Sequence, residues 1–383
     1  MCNYNALEIT KELVGRQSTN PGVYEDEVAS YIESLFLDLP KWASFEKVYV
    51  APKRPCVKLE LTGKNTLREL VFICHMDTVP IAQGWTKDPF SPVEEDGKLF
   101  GLGACDMKGG TAGALSAIKG YLDKNTQPPY TLKFIGTMDE EADMLGVEEV
   151  LRLGWVSEKS LVLDTEPTDA QVQTAHKSRF WFHYTMEGIA AHASKPHEGA
   201  DAIIALSYAI TYIKEHIDSL EPDSFLGHST IAFGEIEGGI HPYQVPGRAS
   251  CYIDMRVIPQ YSLADIEDIL TDAGTYAASK IPGVHCSFEV TGNRGAVAHY
   301  PESELLGLMK KSIEQSGYTF EAAAFPGYTD TAVIACATHN ENCMSYGPGS
   351  LNQAHKPDEF VAIEDVERCA KVYAKLIDNF LAN

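Results

Sequence analysis

Five short stretches combine residue types that bind metals or move protons. In His75-Met76-Asp77, side chains two residues apart point to one side of a strand end. The histidine could ligate a metal while the aspartate holds its imidazole, although such a triplet also suits a solvated turn. Gly101-Leu-Gly103-Ala-Cys-Asp106-Met-Lys-Gly109-Gly110 invites comparison with a phosphate-binding loop. There, however, Asp106 replaces the third glycine of G-x-G-x-x-G and puts a carboxylate where a pyrophosphate needs backbone N–H groups. A glycine turn with Asp106 as a helix N-cap is the plainer alternative. The adjacent carboxylates of Asp139-Glu140-Glu141 repel one another unless a cation or proton sits among them. Glu166 stands in Thr165-Glu166-Pro167-Thr168, with Asp164 as its rival, and His355 lies in the glycine- and proline-containing segment 347–359. Each stretch alone fits an ordinary loop. Together they form a mixed imidazole–carboxylate set suited to zinc, with one carboxylate left over to act as a base.

These residues need elements to position them. Residues 70–74 (Leu-Val-Phe-Ile-Cys) are a continuous apolar run ending at His75, as in a parallel-sheet strand buried on both faces. Residues 111–121 have helical spacing. Residues 130–135 alternate and then meet the acidic triplet, and 160–163 form a further strand ending at Asp164. Three predicted strands thus run into polar residues, the end at which open parallel sheets carry their sites. Near residue 178 the pattern changes. Strands at 180–186, 229–235, 249–257 and 285–290 are predicted, with helices at 200–217 and 262–279. That βαββαβ order is the split-βαβ, ferredoxin-like unit, and it reads as an insertion. Helix–strand alternation then resumes and runs to a C-terminal helix at about 363–381.

The whole chain narrows the function classes. Its 383 residues predict two or three domains, and 44% hydrophobic content excludes disordered, collagen-like and low-complexity chains. With 31 Lys+Arg against 54 Asp+Glu, the formal charge is −23, which disfavours nucleic acid and anionic membranes as partners and draws cations. No apolar run approaches the ~18–20 residues that span a bilayer. The opening Met-Cys-Asn-Tyr-Asn-Ala-Leu-Glu has neither a basic nor a long apolar region and reads as no signal peptide. Nine scattered cysteines without a C-x-x-C read as reduced thiols of a cytoplasmic protein.

The motifs, in this order, resemble the acetylornithine deacetylase, succinyl-diaminopimelate desuccinylase and carboxypeptidase family of dinuclear zinc amidohydrolases. They are His75-Met-Asp77-Thr-Val-Pro80, Gly101 to Gly110, Asp139-Glu-Glu141, Glu166-Pro-Thr168, Gly188-Ile-Ala-Ala-His192-Ala-Ser194, and Gly347-Pro-Gly349 with Ala354-His355. The resemblance covers nearly all of the chain, and 75–110 and 347–360 look closest to acetylornithine deacetylase. It implies an α/β zinc-peptidase-like catalytic domain (1–177 and 295–383) with a mixed, mostly parallel sheet flanked by helices. A ferredoxin-like lid and dimerisation domain (178–294) is inserted in it. Two Zn2+ ions are implied, with Co2+ able to substitute. Asp106 bridges them, His75 and Glu166 complete one site, Glu141 and His355 the other, and Asp77 orients His75. Glu140 is implied as the general base, and the peptide after Asp106 as cis. His192 is implied to reach the partner subunit's active site in a homodimer, and Arg256 to bind a substrate carboxylate. Gln244 stands where the family often has Asn, one CH2 shorter. Gly327-Tyr-Thr-Asp330 looks like the desuccinylase and carboxypeptidase loop, with Asp330 near substrate. The substrate expected is an N-acyl amino acid, N-acetylornithine first, or a short peptide. A metal-free binding protein on this scaffold would have lost ligands, and here every ligand position and the base are filled. A nucleotide-binding enzyme is disfavoured by Asp106.

Overall fold

The computed structural model describes residues 5–382, so Cys2 and the first residues of the N-terminal stretch lie outside the described residues. Strand Asn65–His75 contains the apolar run 70–74, whose residues are at most 1% exposed. Both its neighbours, Tyr130–Thr137 and Ser160–Asp164, run parallel to it, and Cys343–Ser345 is parallel beyond Ser160–Asp164. Antiparallel pairs flank this centre. Arg54–Leu61 and then Ala43–Ala51 lie on one side, and Val172–His176 on the other, with Ala322–Phe325 last. The sheet is therefore mixed, with eight strands among the described residues. The hairpin Ala43–Leu61 lay outside the sequence expectations because its edge strand is half exposed and carries no continuous apolar run.

Register positions the site. Thr137 pairs with His75 and Asp164 with Ile73, so the three central strands end at one level. The residues that follow each strand emerge there together: Asp77, the triplet 139–141, and Glu166. Helices Gly109–Leu122 and Ile363–Ala382 pack in one core through Leu115, Ile118, Val372, Tyr373 and Leu376. A small antiparallel sheet joins Val93–Glu95, Lys98–Phe100 and Phe360–Ala362, and it pairs Phe100 with Phe360. That pairing brings the segment after His355 alongside the loop that carries Asp106.

The chain forms two compact units: residues to Thr174, Tyr300–Phe325 and Thr329 onward, and Ala175–His299 with Pro326–Tyr328. The second unit is an antiparallel sheet in the order Thr230–Gly238, Arg248–Arg256, Arg179–Glu187, His285–Arg294. This is the ferredoxin-like order. Alternation along Arg179–Glu187 buries Phe180, Phe182, Tyr184 and Met186 against helices Ala202–Asp218 and Leu263–Lys280. The first helix starts at Asp201, whose carboxylate accepts from the N–H groups of Ile203 and Ile204. The second starts at a capping box between Ser262 and Asp265. Trp181, Tyr252, Asp254 and Arg256 belong to the opposite face of the sheet, which leaves them partly open to solvent.

Candidate active site

His75 is the last residue of its strand, and its imidazole is 1% exposed. Its Nδ1 lies 2.9 Å from the carbonyl oxygen of Asp77, which accepts the Nδ1 proton and leaves the Nε2 lone pair free. Nε2 faces Asp106 Oδ1 at 3.1 Å and Glu166 Oε1 at 3.6 Å. The Asp77 carboxylate is 3.7 Å from Nδ1, so the direct hold on the ring comes from the backbone of Asp77. Its carboxylate supports the acidic turn instead, accepting from the backbone N–H of Glu140 (3.2 Å) and Glu141 (3.3 Å).

Asp106 sits in a single wide turn, Ala104–Lys108, with φ −119° and ψ 99°, outside helical geometry, and the Asp106–Met107 peptide is cis. One carboxylate oxygen faces His75. The other is 3.4 Å from His355 Nε2, which is itself 2.9 Å from Glu141 Oε2. Two ligand groups result, His75–Asp106–Glu166 and Asp106–Glu141–His355, and within each the candidate ligand atoms lie within 4.8 Å of one another. Asp106 belongs to both. Glu166, not Asp164, joins the first group. Asp164 is 2% exposed, and its backbone carbonyl accepts from the Tyr346 N–H.

The electrostatics of this cluster favour a cation. Asp106, Glu140, Glu141 and Glu166 crowd around two imidazoles. Burial raises the pKa of Glu140, Glu141 and Glu166, and the neighbouring carboxylates push in the same direction. Burial also opposes ionisation of Asp106, but the His355 and His75 imidazoles beside it prevail and hold its carboxyl below the usual range. Contacts with Asp106 and Glu141 raise His355 to about 10. Among the described residues, Glu141 Oε1 is buried without a hydrogen-bond partner. An unmet carboxylate oxygen, two imidazole nitrogens and a shared aspartate are a donor set that fits two divalent metals of the zinc type.

The remaining candidates fall in two places. Asp330 is 2% exposed at the start of helix Asp330–Thr338, where its Oδ2 accepts from Thr137 Oγ1 at 2.6 Å. In the second unit, a two-residue ladder pairs His192 directly with Gln244. The Ser194 N–H donates to His192 Nδ1 at 3.1 Å, so the neutral ring carries its proton on Nε2. Arg256 is held side-on by Asp254, with Nε–Oδ1 at 2.8 Å and Nη2–Oδ2 at 3.0 Å, and Trp181 Nε1 donates to the same carboxylate.

Three supports escaped the sequence analysis. Asn20 Nδ2 donates to both Asp77 Oδ2 (3.0 Å) and Asp139 Oδ1 (2.9 Å). Arg54 pairs with Asp139 and, through two nitrogens, with Glu25. Glu359 accepts hydrogen bonds from the loop that carries Asp106. Glu359 stands only four residues after His355, which was the one available signal. Nothing local marks Asn20 or Arg54.

A model of the peptidase family M20/M25/M40 matches residues 71–379. Acetylornithine deacetylase from Proteus mirabilis is 29% identical over 321 residues, which is 81% of this chain and 79% of that protein. The aminopeptidase PepT from Bacillus cereus has a similar structure, with TM-score 0.81 at 20% identity, covering 100% of this chain and 99% of that one. A dinuclear metal-binding peptidase of the M20 family from Bacillus subtilis aligns with TM-score 0.73 at 16% identity, covering 97% of this chain and 96% of that one.

Proposed function

The chain belongs to the peptidase family M20/M25/M40 and is a metal-dependent amidohydrolase or peptidase; from that premise we propose that it is a dinuclear zinc hydrolase cleaving the amide bond of an N-acyl amino acid. The observation that carries this reading is the pair of ligand groups sharing Asp106. His75 and Glu166 would hold one zinc with Asp106, and Glu141 and His355 would hold the other. Cobalt can take zinc's place. Bound there, the metals supply Lewis acidity that polarises the scissile carbonyl and acidifies the attacking water.

The chain's own groups move the protons. Glu140 stands beside the ligands on the turn that Asp77 holds. Burial has raised its pKa, as suits a group that takes a proton from water and then gives it to the leaving amine. His192 presents a proton on Nε2 and serves as the donor to the carbonyl oxygen as negative charge grows there. We assign it to the neighbouring copy's site in a two-fold dimer of lids, in which edge strand Thr230–Gly238 offers an unpaired side for pairing. Arg256 binds the substrate carboxylate. Asp254 occupies its Nε–Nη2 side, which leaves the Nη1–Nη2 fork for a planar anion. Gln244, paired with His192, contacts substrate beside it, and Asp330, whose Oδ2 accepts from Thr137 Oγ1, is the third substrate-binding residue of this reading.

N-acetylornithine is the first substrate, in keeping with the named relative, and the cytoplasm is the proposed compartment. A desuccinylase or di-/carboxypeptidase is the second reading, favoured by the Gly327-Tyr-Thr-Asp330 pattern. Hydrolysis of N-acetyl, N-succinyl and dipeptide substrates with added zinc or cobalt separates them. The reading expects the N-acetyl series to give the highest kcat/KM. Preferential cleavage of dipeptides would replace it with the second reading.

A further inference from the structure

Glu359 is 1% exposed, yet it is a carboxylate. Its Oε1 accepts from the backbone N–H groups of Cys105 (2.9 Å) and Asp106 (3.1 Å), and its Oε2 accepts from Gly103 (3.1 Å). Its own carbonyl accepts from Gly101 at 3.0 Å. One residue thus makes four hydrogen bonds to the backbone between Gly101 and Asp106. The loop needs them. Gly103 is left-handed at φ +80°, and Asp106 departs from helical φ/ψ, so these buried N–H groups lie outside a regular helical ladder. A buried backbone N–H requires an acceptor from elsewhere. The acceptor comes from the segment that carries His355, anchored by the Phe360–Phe100 pair.

We propose that Glu359 is a positioning residue for the metal centre: it fixes the Asp106 loop to the His355 segment, so that the ligand common to both metals is set before either metal binds. The inference rests on the dinuclear reading above. Asp106 is the shared ligand, so loosening its loop weakens both metal positions together, whereas loss of a ligand private to one position weakens that one. Only a carboxylate suits the place. Three N–H donors need two acceptor oxygens, and an amide would turn an NH2 group toward at least one of them.

The test is metal binding by the full-length chain. Metal-free wild type, Glu359→Gln, Glu359→Asp and His355→Gln are titrated with Co2+, followed by visible absorption and calorimetry. Far- and near-UV circular dichroism of each metal-free protein is recorded as the fold control. Wild type should take up two equivalents. Glu359→Gln should keep the wild-type dichroism and lose about 10- to 100-fold in affinity at both equivalents, the range for partners that orient ligands. Glu359→Asp, charged but one CH2 too short, should behave in the same way, and His355→Gln should weaken one equivalent alone. Wild-type affinity at both equivalents in folded Glu359→Gln overturns the proposal. So does weakening of one equivalent only, which would mean that Glu359 acts through His355 and not through Asp106. If both Glu359 variants lose the native dichroism, Glu359 serves the fold at large and the proposal falls. A wild type that binds no metal instead refutes the dinuclear reading itself.

Discussion

Replacing Arg54 by methionine keeps a long apolar stem and deletes the charge at the centre of a buried network. The Arg54 side chain is 13% exposed, Glu25 is 0% exposed and Asp139 is 3% exposed. Its guanidinium holds Glu25 through Nη2–Oε1 (2.7 Å) and Nε–Oε2 (3.2 Å), and Asp139 Oδ1 through Nη1 (2.8 Å). Removing one partner of a buried pair costs about 3–5 kcal/mol, because the other charge stays behind uncompensated. Against a typical stability of ~5–15 kcal/mol, that is a large share. The loss depends on pH with a definite sign. Burial already raises the pKa of Glu25 above its ordinary value, and Arg54 pulls it back. Without Arg54 the folded-state pKa climbs further, while the unfolded value stays near ~4.3. Between those two values the native chain binds more protons than the unfolded chain, so stability falls as pH rises through the window. The deficit of Arg54→Met against wild type should therefore be small near pH 5 and grow toward pH 8, by up to about 1.4 kcal/mol per pH unit. Urea unfolding of both proteins at pH 5, 6.5 and 8, followed by tryptophan fluorescence, measures it. A deficit below about 1 kcal/mol at pH 8, or one that does not change with pH, would refute the reasoning. The same variant releases Asp139 from one of its holders and leaves Asn20 and the Leu145 N–H, so kcat should fall with it.

The other expectations concern the site and the lid. Glu140→Gln removes basicity at constant size; it should keep its metal content and lose ~10²–10⁴ in kcat, and metal loss measured by elemental analysis would exchange its role with that of Glu141. Mixing inactive His192→Ala chains with inactive Glu140→Gln chains, under conditions that allow exchange, should restore about one working site per heterodimer. Tagged chains that exchange without recovering activity would place His192 within its own subunit or outside the reaction. Asp254→Asn frees the Arg256 fork to turn and should raise KM about fivefold, ~1 kcal/mol for a partly exposed pair, with kcat nearly unchanged. Substrates whose carboxylate is replaced by a carboxamide should show no such difference between the two proteins, and an equal KM effect on both would remove Asp254 from the hold on Arg256.

Some of this molecule follows from local sequence because the physics is local. A run of five apolar residues ending in His75 is a buried strand with a polar tip wherever it lies. The alternation of Phe180, Phe182, Tyr184 and Met186 declares a strand with one covered face, and Ser262 with Asp265 declares a helix start. The types at 75, 106, 140, 141, 166 and 355 likewise name the chemistry. Proximity is another matter. Asp106 and His355 lie 249 positions apart, and only the register of the central strands and the Phe100–Phe360 pairing bring their segments together. Tertiary structure also decided which atom does the work. The Asp77 carbonyl, not its carboxylate, accepts the hydrogen bond from His75 Nδ1, and the carboxylate turns to the backbone of Glu140 and Glu141. Asn20 and Arg54 carry no mark of their own in the sequence, and Glu359 is marked only by its place four residues after His355. A hydrogen bond depends on where donor and acceptor end up in space, and their partners lie 57 to 119 positions away for Asn20 and 253 to 256 for the Glu359 carboxylate. Periodicity reports which side of an element is buried, because burial repeats with the backbone. It contains nothing about which buried polar group will meet which, and that is settled only when the chain closes on itself.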